Sequence, residues 1–198
     1  MSLSSPTRIG IFALLAILMA ATRLHHFGAL PDASWAVFFL AGFYLRGSLR
    51  WAFPTLMALA VVVDYLVITG QGLNFWTHYC VSPAYWFLLP AYLSLTLGGA
   101  WLNKRYHGLG VRELGLLAGS AFVSISVCYL ISNGSFYWLS EVVSEPSFAG
   151  WMKNLSDWYL PYLRTTGLYL GVAAAIHAAA AMTLRALGAV GEHHTAKH

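Results

Sequence analysis

Apolar residues run along this chain in long blocks broken by short polar stretches, not in the alternation of half-buried elements. Six blocks stand out: Arg8 to Thr22, Ala33 to Leu45, Leu49 to Thr69, Pro83 to Trp101, Arg112 to Ser132 and Pro161 to Leu187. A helix needs about 20 apolar residues to cross the hydrocarbon of a bilayer. The pattern therefore predicts an all-α integral membrane protein, a six-transmembrane-helix bundle forming one membrane domain over residues 1–198. The second block is short, which suggests a tilted, thinly covered or re-entrant helix. Asp32 is placed to cap it. Ser82 is placed to cap the fourth, with Pro83 at its first helical position. The polar end of the chain, 188–198 with "GEHHTAKH", is expected to be disordered.

Composition strengthens the membrane reading. Hydrophobic residues make up 59% of the 198 and charged residues 9%, with mean hydropathy +0.64. A soluble domain carries roughly 25% charged residues. Eleven Lys and Arg stand against seven acids. In a membrane chain that excess reports loop orientation and not a nucleic-acid partner. Six crossings put both termini on one side, with Arg8, Arg46, Arg50, Lys104, Arg105, Arg112, Arg185 and Lys197. The other side keeps Arg23, Lys153 and Arg164. The richer side is expected in the cytoplasm. The run Ile9 to Ala21 has signal-peptide character but reads as a retained first helix. Small residues recur at four-residue spacing: Gly167, Gly171, Ala175 and Ala179; Gly115 and Gly119; Ala16 and Ala20. Such stripes are expected to pack within the bundle, with contact to a partner subunit as the alternative.

Several chemistries lack their motifs. No Walker loop occurs, so no ATP site of that kind is expected; no H-E-x-x-H or G-x-S-x-G occurs either. Two isolated cysteines, Cys80 and Cys128, do not suit a thiol oxidase. The candidate residues gather in the connections assigned outside, Arg23 to Asp32, Gly70 to Ser82 and Asn133 to Tyr159. These hold His25, His26, Trp76, His78, Tyr79, Cys80, Tyr137, Trp138, Trp151, Trp158 and Tyr159. Interfacial anchoring accounts for the tryptophans, but not for the histidines or the thiol. Asp64, in "VVVDYLV", is either paired with Arg23 or Arg164 or forms the floor of an outward-facing pocket. His177 is expected to be a buried histidine satisfied by a neighbouring helix. Cys80 precedes the fourth helix, whose positive end, with His78, would favour a thiolate. A disulfide with Cys128 and an inert buried thiol are its alternatives.

Two passages carry a resemblance. "RLHHFGALPDASWAVFFLAGFYLR" and "NFWTHYCVSPAYWFLLPAY" resemble the BtuM family, small bacterial membrane proteins related to the substrate-binding S-components of energy-coupling-factor transporters. The resemblance covers essentially the whole chain. It implies a bundle of S-component type in the bacterial inner membrane, with both termini cytoplasmic and a cobalamin site facing the periplasm. It further implies that Cys80 is the axial ligand of the corrinoid cobalt; thiolate is a strong donor to such a metal. His78 is the rival ligand, and Asp64, Tyr85 and His26 are expected as supporting contacts. Thiolate ligation at Cys80 would also promote loss of a cyano upper ligand. A coupling module reached through Ala16 and Ala20 is a further implied partner. Two other readings stand beside transport: a haem-binding redox protein using His25, His26 or His177, and a non-catalytic structural subunit of a membrane complex.

Overall fold

The computed structural model describes residues 4–24 and 31–195, with side chains as far as 187. Six α-helices follow one another: α1 Ser5–Leu24, α2 Ser34–Tyr44, α3 Leu49–Gly70, α4 Leu88–Arg105, α5 Val111–Leu139 and α6 Phe148–Thr195. No strand occurs among the described residues. Successive helices reverse direction, which gives the bundle two ends. One end gathers Arg23, Asp64 and Cys80. The other gathers Arg8 beside Gly47, and Arg185 beside Gly108.

Four helical stretches are long and apolar enough to cross a membrane: Ser5–Leu24, Arg46–Gly70, Val111–Leu139 and Phe148–Leu187. Large apolar side chains cover their outer faces, including Leu14, Ile17, Val62, Leu66, Val123 and Ile176. Such surfaces match hydrocarbon and not water. The short second helix is neither lipid-facing nor peripheral. Nine of its 11 residues are buried, among them Val37, Phe38 and Phe39. Its neighbours wrap it, so it need not be long.

The closest helix contact is α2 on α4, and glycine makes it possible. A β-carbon on Gly42 would fall 2.0 Å from the Thr96 carbonyl oxygen; one on Gly99 would fall 1.9 Å from that of Phe39. The two backbones meet with no side chain between them. Gly115, Gly119, Gly167 and Gly171 behave differently. Nothing lies within 4 Å of a β-carbon built on any of them, and Ala175 and Ala179 are exposed. The expectation that these stripes pack inside the bundle fails for those six positions: they face outward. Ala16 does pack against the core.

The largest departure from the sequence reading is the connection expected over Asn133 to Tyr159. Most of it is helix. α5 runs on to Leu139 and α6 begins at Phe148, so only residues 140–147 lie between them. Several of the polar residues that suggested a loop form hydrogen bonds to one another, between the two helices and their connection. Asn133 donates to the Asn154 side chain at 2.6 Å, and the Tyr129 hydroxyl to the Leu155 carbonyl at 2.9 Å. The Tyr137 hydroxyl donates to the Ser147 carbonyl at 3.1 Å. Pro161, read as a helix start, lies inside α6. At 48 residues, α6 is about 72 Å long, more than twice the roughly 30 Å of a hydrocarbon core. Its last turns continue to Thr195, through most of the segment expected to be disordered.

Candidate functional site

At the Cys80 end the site is built around one arginine. Arg23, in the last turn of α1, is buried. A buried guanidinium demands acceptors for its donors, and three other helices supply them. Its Nε and Nη2 donate to the two carboxylate oxygens of Asp64 on α3, at 2.6 and 2.7 Å. Its Nη1 reaches Asp32 at 3.2 Å, the Ser34 hydroxyl at 3.1 Å and the Tyr92 hydroxyl at 3.2 Å. Arg23 thus joins α1 to α2, α3 and α4. The Asp64 pairing offered by the sequence is present, with Arg23 and not Arg164 as its partner. The planar fork suits a carboxylate two bonds at a time. Asp32 does not cap α2 in the expected way, because the helix starts one residue later than that assignment requires. Its Oδ1 takes the Ser34 backbone N–H at 2.8 Å and the Ser34 hydroxyl at 2.6 Å.

Tyr85 adds the roof. Its hydroxyl donates to Asp64 at 2.7 Å, which ties the α3–α4 connection down onto the ion pair. That connection is a train of tight 3₁₀ turns at Phe75–Thr77, Tyr79–Val81 and Pro83–Phe87. Each is short because 3₁₀ geometry is poor in longer runs. Asn74 starts the first by accepting the Trp76 N–H at 2.9 Å. His78 starts the second, its Nδ1 accepting the Cys80 N–H at 3.3 Å. Phe75 is buried and meets Tyr85 edge-on at 6.3 Å. Trp76 and Trp86 stand out of this floor, 73% and 71% exposed.

Cys80 sits half-exposed in the middle turn, and Cys128 is fully buried; both are free thiols. The disulfide alternative is absent. Its premise was that Cys128 lies near the end of its helix, yet α5 continues for 11 residues beyond it, about 16 Å.

The thiolate expectation also needs correction. Burial raises the pKa of the Cys80 thiol above its ordinary value; the Asp64 charge raises it too, while a hydrogen bond from Tyr79 and the Arg23 charge lower it. The sequence placed Cys80 against the positive end of an α-helix. α4 begins only at Leu88, so the weak dipole of a 3₁₀ turn stands in for a helix macrodipole. His78 acts on the backbone N–H of Cys80, as its hydrogen bond shows, and holds the turn. Tyr79 stands among the outer-face aromatics in the sequence, but its role beside the thiol is not assigned there. Adjacency to Cys80 was its one visible signal.

One further atom is unprovided for. The Ser82 hydroxyl is buried with no hydrogen-bond partner, and it does not cap the turn it precedes. Buried polar groups are normally paired. Among the described residues no group of three or more His, Cys, Asp or Glu side chains could hold a metal ion. His26 and His25 lie outside the described residues. His177 is far off, at the opposite end. The Tyr44 hydroxyl lies 2.9 Å from its Nδ1 and the Tyr106 hydroxyl 2.8 Å from its Nε2. That agrees with a histidine satisfied by its neighbours, and leaves no ring nitrogen open for an iron.

The site can therefore present one neutral, hydrogen-bonded sulfur on a braced turn, among exposed aromatic faces and above a fixed ion pair. No protein-family model matches the chain, and no curated protein matches it.

Proposed function

We propose that this chain takes up cobalamin across the bacterial inner membrane, and that Cys80 sulfur is an axial ligand of the corrinoid cobalt. The observation that carries the reading is the placement of Cys80: a free, half-exposed thiol on a turn pinned by Tyr85 to Asp64 and Arg23. A lone sulfur does not capture a bare ion, which needs several ligands. It suits a metal that arrives with its other positions filled by a macrocycle. The exposed rings of Trp76, Tyr79 and Trp86 suit a broad, flat cargo. The unpartnered Ser82 hydroxyl would meet its polar edge.

In this reading Tyr85 and Asp64 are positioning residues. They hold the turn, and their hydrogen-bonding capacity is already spent on one another and on Arg23. His78 orients Cys80 through its backbone; His26, outside the described residues, is proposed as a further supporting contact. Sulfur binds as thiolate, so ligation releases the thiol proton. Donation along the axis then weakens the bond to a cyano group opposite. Cyanide would leave with its electron pair and take a proton from solvent, and the cobalt would stay in its oxidation state.

The six alternating helices and the eight-to-three distribution of basic residues support a six-crossing bundle of S-component type. Both termini would be cytoplasmic and Cys80 would face the periplasm. Ala16 and Ala20 on α1 would be the face for a coupling module; both are partly buried and Ala16 already packs against the core, so a module would reach only their exposed part.

The test is spectroscopic. The purified protein and Cys80→Ala are each given cobalamin and freed of excess. A retained corrinoid spectrum, shifted in the parent and unshifted in the variant, is expected. A parent that retains no corrinoid overturns the reading. A cyano spectrum that persists unchanged in the bound parent removes the cyanide-release step alone.

A further inference from the structure

The cavity at the opposite end of the bundle is not used by any of this. It encloses about 280 Å³ between the ends of α2 and α4, the first turns of α5 and the later part of α6. Its walls are Phe39, Phe43, Leu102, Leu114, Leu117 and Ala174, among other mostly apolar groups, and its polar corner is His177 with Tyr44 and Tyr106. Its origin is plain in the hydrogen bonds. Every α5–α6 bond found among the described residues lies at the Cys80 end, from Ser126 with Tyr159 to Asn133 with Asn154. Towards the other end the two helices part, and the cavity is the wedge between them. Both helices are of membrane-crossing length and apolarity, and the walls they give the wedge are mostly apolar.

The polar corner carries an unspent hydrogen. Two tyrosine hydroxyls meet the two nitrogens of one imidazole. A neutral ring accepts from one hydroxyl and donates to the other; a protonated ring donates to both. In either state at least one tyrosine O–H hydrogen has no place on His177. Neither hydroxyl has another hydrogen-bond partner among the described residues. A donor in apolar walls calls for an acceptor.

The rim is basic. Arg185 Nη2 lies 3.7 Å from where a β-carbon on Gly108 would sit, and Gly108 lines the cavity. Glu113 also lines it, but its carboxylate is paired with Arg112 at 3.2 Å. Arg185 and Glu113 both act on the Tyr106 hydroxyl. Lys104 and Arg105 close α4 on the same side.

We propose that this wedge binds one anionic glycerophospholipid: an acyl chain between α5 and α6, an ester carbonyl accepting the spare tyrosine hydrogen, and the phosphate on Arg185. This does not rest on the corrinoid reading, and its test uses no corrinoid.

The full chain, purified in a neutral detergent, is offered phosphatidylglycerol and phosphatidylcholine of identical chains, and retained lipid is read by native mass spectrometry. One phosphatidylglycerol per protein is expected, favoured about fivefold over phosphatidylcholine, as one basic side chain near an anionic head group provides. Arg185→Gln should keep the bound lipid and bring the preference to near parity. Ala174→Phe, which fills the wedge, should lose it. Should that variant not fold, Ala178→Leu is the smaller filler and must show the same loss. Inorganic phosphate should not displace the lipid. Retention by a folded filled variant, absence of any preference in the parent, or displacement by phosphate alone would each overturn the proposal.

Discussion

Replacing Asp64 by alanine asks directly how the Cys80 end is held together. Asp64 supplies two of the bonds to Arg23, at 2.6 and 2.7 Å, and accepts from Tyr85 at 2.7 Å. The side chains of Arg23 and Asp64 are 9% and 17% exposed, so little water replaces what is lost. Removing one partner of a buried pair costs about 3–5 kcal/mol, most of it the unpaired charge left behind. Arg23 keeps Asp32, Ser34 and Tyr92, which argues for the lower limit, about 3 kcal/mol. For a chain of this size that is a fall of roughly 6–12 °C in melting temperature. Asp64→Asn retains one acceptor and should lose about half as much. The double variant Arg23→Met with Asp64→Leu removes the buried charges together and should return to within about 1 kcal/mol of the parent. The assay is thermal unfolding of the detergent-purified proteins, followed by tryptophan fluorescence and checked by gel filtration. If Asp64→Ala melts within about 2 °C of the parent, or the double variant loses the sum of the two single losses, the ion pair does not hold this end.

Further outcomes follow from other contacts. Gly99→Ala would drive a β-carbon to 1.9 Å from the Phe39 carbonyl oxygen, and should cost about 3 kcal/mol or prevent folding, as overpacking does. Gly167→Ala meets nothing within 4 Å and should be neutral or stabilising by up to about 1 kcal/mol; unfolding of the two variants side by side checks both. The raised pKa of the Cys80 thiol keeps it protonated at neutral pH, so its alkylation by iodoacetamide should climb about tenfold per pH unit past the ordinary thiol value. A plateau near pH 7 would contradict the burial argument. Tyr79→Phe removes the one hydrogen bond that favours the thiolate and should slow alkylation at pH 8 several-fold.

The helices were legible wherever lipid contact dictated composition. α1 and α3 match their apolar blocks to within a few residues, because a helix facing hydrocarbon must be apolar nearly throughout. α2 gave its position but not its burial: Phe38 and Phe39 read the same against lipid as against protein. The α5–α6 hairpin was hidden because its facing helices carry Asn133 and Asn154, polar residues that bond to each other across the pair and read as loop in the sequence. At the candidate site, Asp64 was legible as a costly buried charge and Arg23 as a partner at the same depth. Tyr92 and Ser34 gave no signal, since nothing local marks which hydroxyl an arginine from another helix will reach. The glycine stripes misled for a related reason. Spacing alone finds small residues, and only the neighbouring backbone tells whether a helix lies against them, as at Gly99, or none does, as at Gly167.

The unequal anchoring of α6 makes it a lever. Towards its start it is stacked on α2 through Tyr162 and Trp35, 4.8 Å apart, and bonded to Pro31 through the Tyr169 hydroxyl at 2.7 Å. Leu170 is its last buried residue among the described side chains. From that fulcrum to Arg185 the rise is roughly 22 Å, so a pivot of about 10° would carry the arginine some 4 Å. What stands against such a swing is the catch formed by His177 between Tyr44 and Tyr106. A single imidazole thus ties the far arm of α6 to both Tyr44 and Tyr106, while the near arm is held by ring stacking and the bond to Pro31.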